Sequence, residues 1–278
     1  MQPTPATSSG KLLGSYGYGK ALIFCMFILG SIFLGLAAFI GYLSVASIQN
    51  FNGPKNLFYG TFALLVVLGG VMFALALWQK KLRVARYEVY EKGICQIIGS
   101  ERDYVPFSEM NDLYLFASGQ TAVAGLINNL AYRRNDSEAF RRVNAHLKDL
   151  YGFIDLVREL HLNERLPQAM ATLEQGGAVQ FNYIGTGQVW SKRVSGNFLN
   201  VTTQPILVTR DALEVEGSKV PMASLRSIDL SAWTELVVIR DESGKTVLST
   251  AANGIMSFDL FLNTLHNLLE AEPARVTA

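Results

Sequence analysis

The side chains that carry most enzymatic chemistry are sparse in this chain and poorly spaced for it. Its three histidines, His146, His161 and His266, stand apart from one another and from Cys25 and Cys95. A zinc site draws on ligands at short, regular spacings, and no H-E-x-x-H pattern or cysteine pair supplies them. No G-x-S-x-G elbow presents a nucleophilic serine, and no Walker loop is there to cradle phosphate. Gly185-Thr186-Gly187 begins like a dinucleotide-binding turn, but Trp190 stands where the third glycine belongs. With no strand–loop–helix context legible around it, the segment reads as a turn between strands. The carboxylates are scattered over charged turns, where solvation explains them. Cys25 falls in an apolar run and Cys95 in a strand-like one, so a disulfide framework is excluded and a reducing compartment fits. The expectation is a non-enzymatic protein with no catalytic residues, no metal and no cofactor. A membrane enzyme whose site forms no local pattern is an alternative.

One charged cluster stands out. Arg133 and Arg134 lie close in sequence to Arg141 and Arg142, and a second basic group follows an apolar run at Lys80, Lys81, Arg83 and Arg86. Juxtamembrane basic residues gain about 1 kcal/mol each near an anionic lipid surface, so these eight are candidates for contact with headgroups or a partner. The plainer reading is a solvated helix start partly neutralised by Asp136 and Glu138. Against it, arginines at a helix N-terminus oppose the helix dipole, which favours an external reason for them. The net charge of +1 gives no broad footprint for nucleic acid. Trp190, Trp233 and Phe198 could mark a groove, although aromatic residues of a small barrel usually fill its core.

The elements that would position these groups begin with two uncharged apolar runs, residues 21–48 and 57–79. A membrane core about 30 Å thick is crossed by roughly 20 apolar helical residues, and both runs are long enough. Basic flanks stay in the cytosol. Four basic residues follow the second run, Lys11 and Lys20 precede the first, and the 49–56 connector holds only Lys55. The expected protein is therefore a two-pass component of the inner membrane, with both termini and the large C-terminal region in the cytosol. Trp78, Tyr59 and Tyr42 lie near span ends, where amphipathic rings favour the interface. Ser44-Val45-Ala46 would suit a signal peptidase, but the apolar stretch is far longer than a signal core of roughly 7–15 residues. Ser31 and Gly35, Ala37 and Gly41, and Gly70 and Ala74 are small residues four apart. They would let a second helix approach, either the other span or a neighbouring subunit. No Asp, Glu, Lys, Arg or His lies inside either span, which argues against a transporter.

The remainder is organised by a repeat. Val105-Pro106-Phe107-Ser108-Glu109-Met110-Asn111-Asp112-Leu113-Tyr114-Leu115 matches Val220-Pro221-Met222-Ala223-Ser224-Leu225-Arg226-Ser227-Ile228-Asp229-Leu230. Upstream, Val89-Tyr90-Glu91-Lys92-Gly93-Ile94 parallels Val208-Thr209-Arg210-Asp211-Ala212-Leu213 in the same order. Each copy reads as strands joined by charged turns, with the proline at a strand end or edge. A hairpin is expected across residues 241–244, and further strands over 178–183 and 198–203. Each copy then closes with an amphipathic helix. One is carried by Phe140, Val143, Leu147, Leu150, Ile154 and Val157, with Asn135, Asp136 and Ser137 as cap candidates. The other is carried by Phe258, Phe261, Leu262, Leu265 and Leu269. A separate short helix is expected over 166–175. Residues 1–19 and 272–278 read as disordered tails.

A bent antiparallel sheet or barrel with a C-terminal helix resembles the pleckstrin-homology-like superfold. A membrane hairpin followed by Tyr90-Glu91-Lys92-Gly93-Ile94 is similar to bacterial membrane-anchored proteins of unknown function with such domains. The resemblance implies a helical hairpin over 20–80, then α+β units over 86–175, with a helical extension, and over 176–271. The superfold hosts lipid, peptide and protein binding, so it fixes no single activity. The leading expectation is a domain that binds a protein partner or lipid headgroups. A second is an immunity protein whose spans neutralise a secreted interbacterial toxin. Membrane lipid and a protein partner, including a second copy of the chain, are the expected contacts.

Overall fold

Apolar residues in unbroken runs satisfy their backbone internally as helices. The computed structural model, which describes residues 9–46, 55–117, 127–195, 199–231 and 236–271, places α1 at Ala21–Ala46 and α2 at Lys55–Leu82. Both are long and apolar enough to cross a membrane. Lys55, expected in the connector, is the first residue of α2. The chain forms two compact units, residues 17–86 with 98–100 and the rest.

In the helical unit, α1 and α2 pack together as a hairpin. Gly30 and Ala37 are buried in α1, and Gly69 and Ala76 in α2. Both pairs are seven apart, the spacing of a heptad seam. A Cβ on Gly30 would lie 2.9 Å from the Phe73 ring, and one on Gly69 would lie 2.8 Å from Leu34. Phe27 and Phe73 meet edge to face at 5.5 Å. Among the six small residues expected to pack, Ala37 is buried and Gly41 approaches Phe62, whereas Ser31, Gly35, Gly70 and Ala74 are exposed. The outer surface is apolar, with Phe24 66%, Phe39 58%, Val67 60% and Trp78 57% exposed.

The other unit is an α+β assembly of several antiparallel sheets. One sheet runs β1 (Leu12–Gly17), β2 (Ala85–Tyr90), β3 (Gly93–Ile98), β4 (Glu101–Pro106) in spatial order. A second runs β5 (Asp112–Phe116), β6 (Asn129–Arg133), β7 (Arg141–Val143), and α3 (Leu150–Glu174) follows. Then the order recurs. The strands β8 (Ala178–Tyr183), β9 (Gln204–Thr209), β10 (Ala212–Val215) and β11 (Ser218–Pro221) form one sheet, with α4 (Thr186–Ser195) between β8 and β9. The strands β12 (Leu225–Ser231), β13 (Leu236–Asp241) and β14 (Thr246–Ala251) form the next, closed by α5 (Phe258–Ala271). The helical hairpin thus occupies, in chain order, the place that α4 holds in the second copy.

The repeat extends to details. Both Val-Pro strands end at the proline and pass into a 3-10 turn whose first residue, Phe107 or Met222, is fully buried. The residue before each closing helix is left-handed, Asp149 at φ 54° and Ser257 at φ 51°. Tyr16 of β1 meets Phe153 of α3 edge-on at 5.0 Å, and Phe181 of β8 meets Phe261 of α5 at 5.2 Å.

Several expectations change. β1 lies inside the tail read as disordered, because its partner β2 lies beyond both helices and no local hairpin signal announces it. Phe140, Val143 and Leu147 are not helical. Val143 pairs with Leu130 across β6 and β7, and α3 begins only after Asp149. The Ser137 N–H donates to Asn135 Oδ1 at 3.0 Å, so Asn135 shapes a turn rather than a helix cap. The short helix over 166–175 is the second half of α3, which continues past Pro167. The strand expected at 198–203 begins at Gln204, and Phe198 lies outside the described residues.

The length of α3 lets it serve both copies. Phe153 and Val157 are buried in its first half, while Ala169 and Leu173 join the core of the second copy with Phe181, Ile206, Val208, Leu213, Ile239 and Phe261. Arg158 forks onto Asp259 of α5 with two bonds of 2.7 Å. The Ser257 hydroxyl donates to Asn111 O at 2.8 Å and accepts from Leu113 N–H at 3.1 Å. These bonds fix the two copies to each other.

Candidate functional site

Of the basic residues singled out in the sequence, Lys80, Lys81 and Arg86 are exposed. Arg83 donates to the Gly19 carbonyl at 2.8 Å. The arginine cluster is spent internally. Arg134 bonds Glu109 and Glu138, and Arg141 bonds Asp103 at 2.5 Å and Glu138 at 2.8 Å. Burial would raise the Glu138 pKa, but the hydrogen bonds from Arg141 and Arg134 outweigh it and hold it at about 2. Arg142 donates to Asn129 Oδ1 at 2.9 Å. The expected helix start is a strand, so the helix-dipole argument for an external anion lapses.

Arg133 is the innermost of the four. Its Nε donates to Asp112 Oδ2 at 2.6 Å, it pairs with Asp136, and its guanidinium lies 4.4 Å from the Phe140 ring centre. Asp112 is 1% exposed. Burial raises its pKa against the opposing pull of Arg133 and of Asn182 Nδ2, which donates to it at 3.0 Å. Asn182 belongs to β8, so this network joins the β5–β6 pair of the first copy to the first strand of the second.

Beside the network opens a cleft of about 600 Å³. Its walls are Arg165, Gln168 and Thr172 of α3, the run from Ala178 to Gln180 with Asn182 of β8, and Asn111 with the turn from Asn135 to Ser137. The corner between α3 and β8 is a Schellman turn. The Gly176 N–H donates to Leu173 O and the Gly177 N–H to Thr172 O, with Gly176 at φ +78°. Arg165 donates to Ser108 O at 2.7 Å and to Asn111 Oδ1 at 3.2 Å. It has no carboxylate partner among the described residues, and burial lowers its pKa. Sequence reasoning missed this arginine because a lone basic residue on a helix carries no pattern.

The histidines do not converge. His146 lies in a turn, His266 in α5, and His161 in the middle of α3. His161 is 2% exposed, and its Nε2 lies 3.1 Å from the Met110 carbonyl. Among the described residues no group of three or more His, Cys, Asp or Glu is placed to hold a metal. Gly185 precedes α4, so the context is strand–loop–helix after all. The loop is closed on the protein, since the Ile184 N–H donates to Gly254 O and the Gln188 and Val189 N–H groups to Gly185 O. Trp190 lies in α4, and Trp233 lies outside the described residues. No family model matches the chain, and no relative was found among curated proteins.

Proposed function

We propose that the protein is a two-pass inner-membrane anchor for a non-enzymatic cytosolic module that binds a protein partner. The observation that carries the reading is the helical hairpin itself, apolar on its outer face and set between the first two strands of a unit that then recurs without it. An apolar surface of that extent is costly in water and favourable in lipid. Because β1 and β2 share a sheet, both ends of the hairpin return to one side of the membrane. Lys80, Lys81, Arg83 and Arg86, against Lys55 in or beside the connector, favour the cytosol for that side.

Each copy is a pleckstrin-homology-like unit in this reading. Support comes from the count and order of elements, a four-stranded sheet, a three-stranded sheet and a closing helix, twice over. The internal pairing of Arg133, Arg134 and Arg141 disfavours a headgroup site there, which moves the weight from lipid to protein. Ser31, Gly35, Gly70 and Ala74 on the outer face of the hairpin support a second reading, docking of a further helix from another copy or from a toxin that the protein neutralises.

The test has two parts. Reporter fusions at both termini should be active only in the cytosol, and a periplasmic signal from either sinks the anchor reading. Cross-linking in intact cells, followed by detergent purification of the full chain, should recover a partner whose yield depends on residues 86–271. Recovery that persists with the spans alone would favour the second reading.

A further inference from the structure

We infer that the cleft between α3 and β8 takes an extended segment of the partner protein, which pairs with the open edge of β8 at Ala178 and Gln180 and sets an acidic side chain on the Arg165 guanidinium. The inference rests on the partner-binding reading and supplies the chemistry of its site.

The edge is open by topology, since β8 is the last strand of its sheet. The Met256 N–H donates to the Asn182 carbonyl from outside the ladder at 2.8 Å, so the peptide groups of Asn182 point away from β9. Opposite Asn182 in the ladder is Pro205, which has no N–H to give. Peptide groups two residues apart in a strand point the same way. Those of Ala178 and Gln180 therefore face outward too, and they have no partner among the described residues. Residues 254–256 cover the edge only from Asn182 onward. The outward groups of Ala178 and Gln180 are enough for one short stretch of added strand, and added strands take their affinity from main-chain bonds.

The lining chooses among ligands. It has no aromatic ring on which a base could stack and only one cation, too few for a polyphosphate. Its other polar groups are mostly carboxamides and hydroxyls, which complement peptide groups. Asp136 is already paired with Arg133, so Arg165 is the charge left over. A half-buried guanidinium with neutral partners gains most from a carboxylate. The Schellman corner at Gly176 and Gly177 holds the two walls in place, so little ordering is needed on binding.

Full-length protein in detergent micelles is titrated against an array of end-capped peptides with a central Glu and varied flanks, each beside its Gln twin. Expected are Glu peptides that bind at least tenfold more tightly than their twins, and an Arg165→Gln variant that removes the difference. Ala178→Pro deletes one outward N–H at the first position of the strand, where proline is tolerated, and weakens binding at least tenfold. Should that variant melt earlier, backbone N-methylation of the peptide asks the same question of the wild type. Loss of binding then supports the pairing, and unchanged binding overturns it. An array in which no Glu peptide outbinds its twin also overturns the inference, as does a bound peptide indifferent to both substitutions. The broader reading fails on a different result, the absence of any cross-linked partner.

Discussion

His161 shows how a residue can look chemical and act structurally. Burial holds its pKa down at about 4, against the pull of the Met110 carbonyl; Arg165 adds to the lowering and Asp259 opposes it. The folded value lies below the ordinary 6.5, so the unfolded chain takes up the proton first. Stability is full above pH 6.5 and falls as pH drops toward about 4, at up to about 1.4 kcal/mol per pH unit. In melts of the detergent-solubilised chain, His161→Gln should flatten that slope between pH 6.5 and 4, and an unchanged slope would refute the assignment. Asp112, whose pKa burial raises, contributes with the opposite sign and is common to both proteins. At this scale the sequence showed which residues were charged but not what they touch. Arg133 and Asp112 lie twenty-one positions apart, and only the register of β5 on β6, Asp112 opposite Arg133, brings them together.

Elements were legible where their signal was local. The two long apolar helices, the 241–244 hairpin and the paired Val-Pro strands all have neighbours in sequence that announce them. The stretch from Phe140 to Leu147 misled because apolar residues three and four apart also suit a short strand followed by a turn. What decides is the ladder to β6 and the left-handed Asp149 that bars helix before Leu150. In α1 and α2, a four-residue rule identified Gly70 where the contact uses Gly69, because the seam repeats every seven. The Gly176-Gly177 corner offers a test at this level. A Cβ on Gly177 would lie 2.8 Å from Thr172 Cγ2 and 3.0 Å from its carbonyl, whereas one on Gly187 would meet nothing within 4 Å. Gly177→Ala should therefore cost about 1–3 kcal/mol. Gly187→Ala, inside α4, should be neutral or stabilising by up to about 1 kcal/mol. Equal melting shifts for the two would refute this account of the corner.

At the scale of the whole molecule, the first copy is split by a helical hairpin and the second is not. Removing residues 1–17 should strip β1 from its sheet and Tyr16 from Phe153, while leaving both spans intact. The expected outcome is a protein that still fractionates with membranes but melts earlier and is cut by protease within residues 86–175 before 176–271. Equal protease resistance of the two copies would refute the role given to β1. The same split dictates an order of events during synthesis. Under the two-pass reading, β1 leaves the ribosome before α1 and α2, and β2, the strand it pairs with, emerges only after both helices have reached the membrane. On that reading β1 waits unpaired through the interval, and the first copy closes only once both helices are inserted.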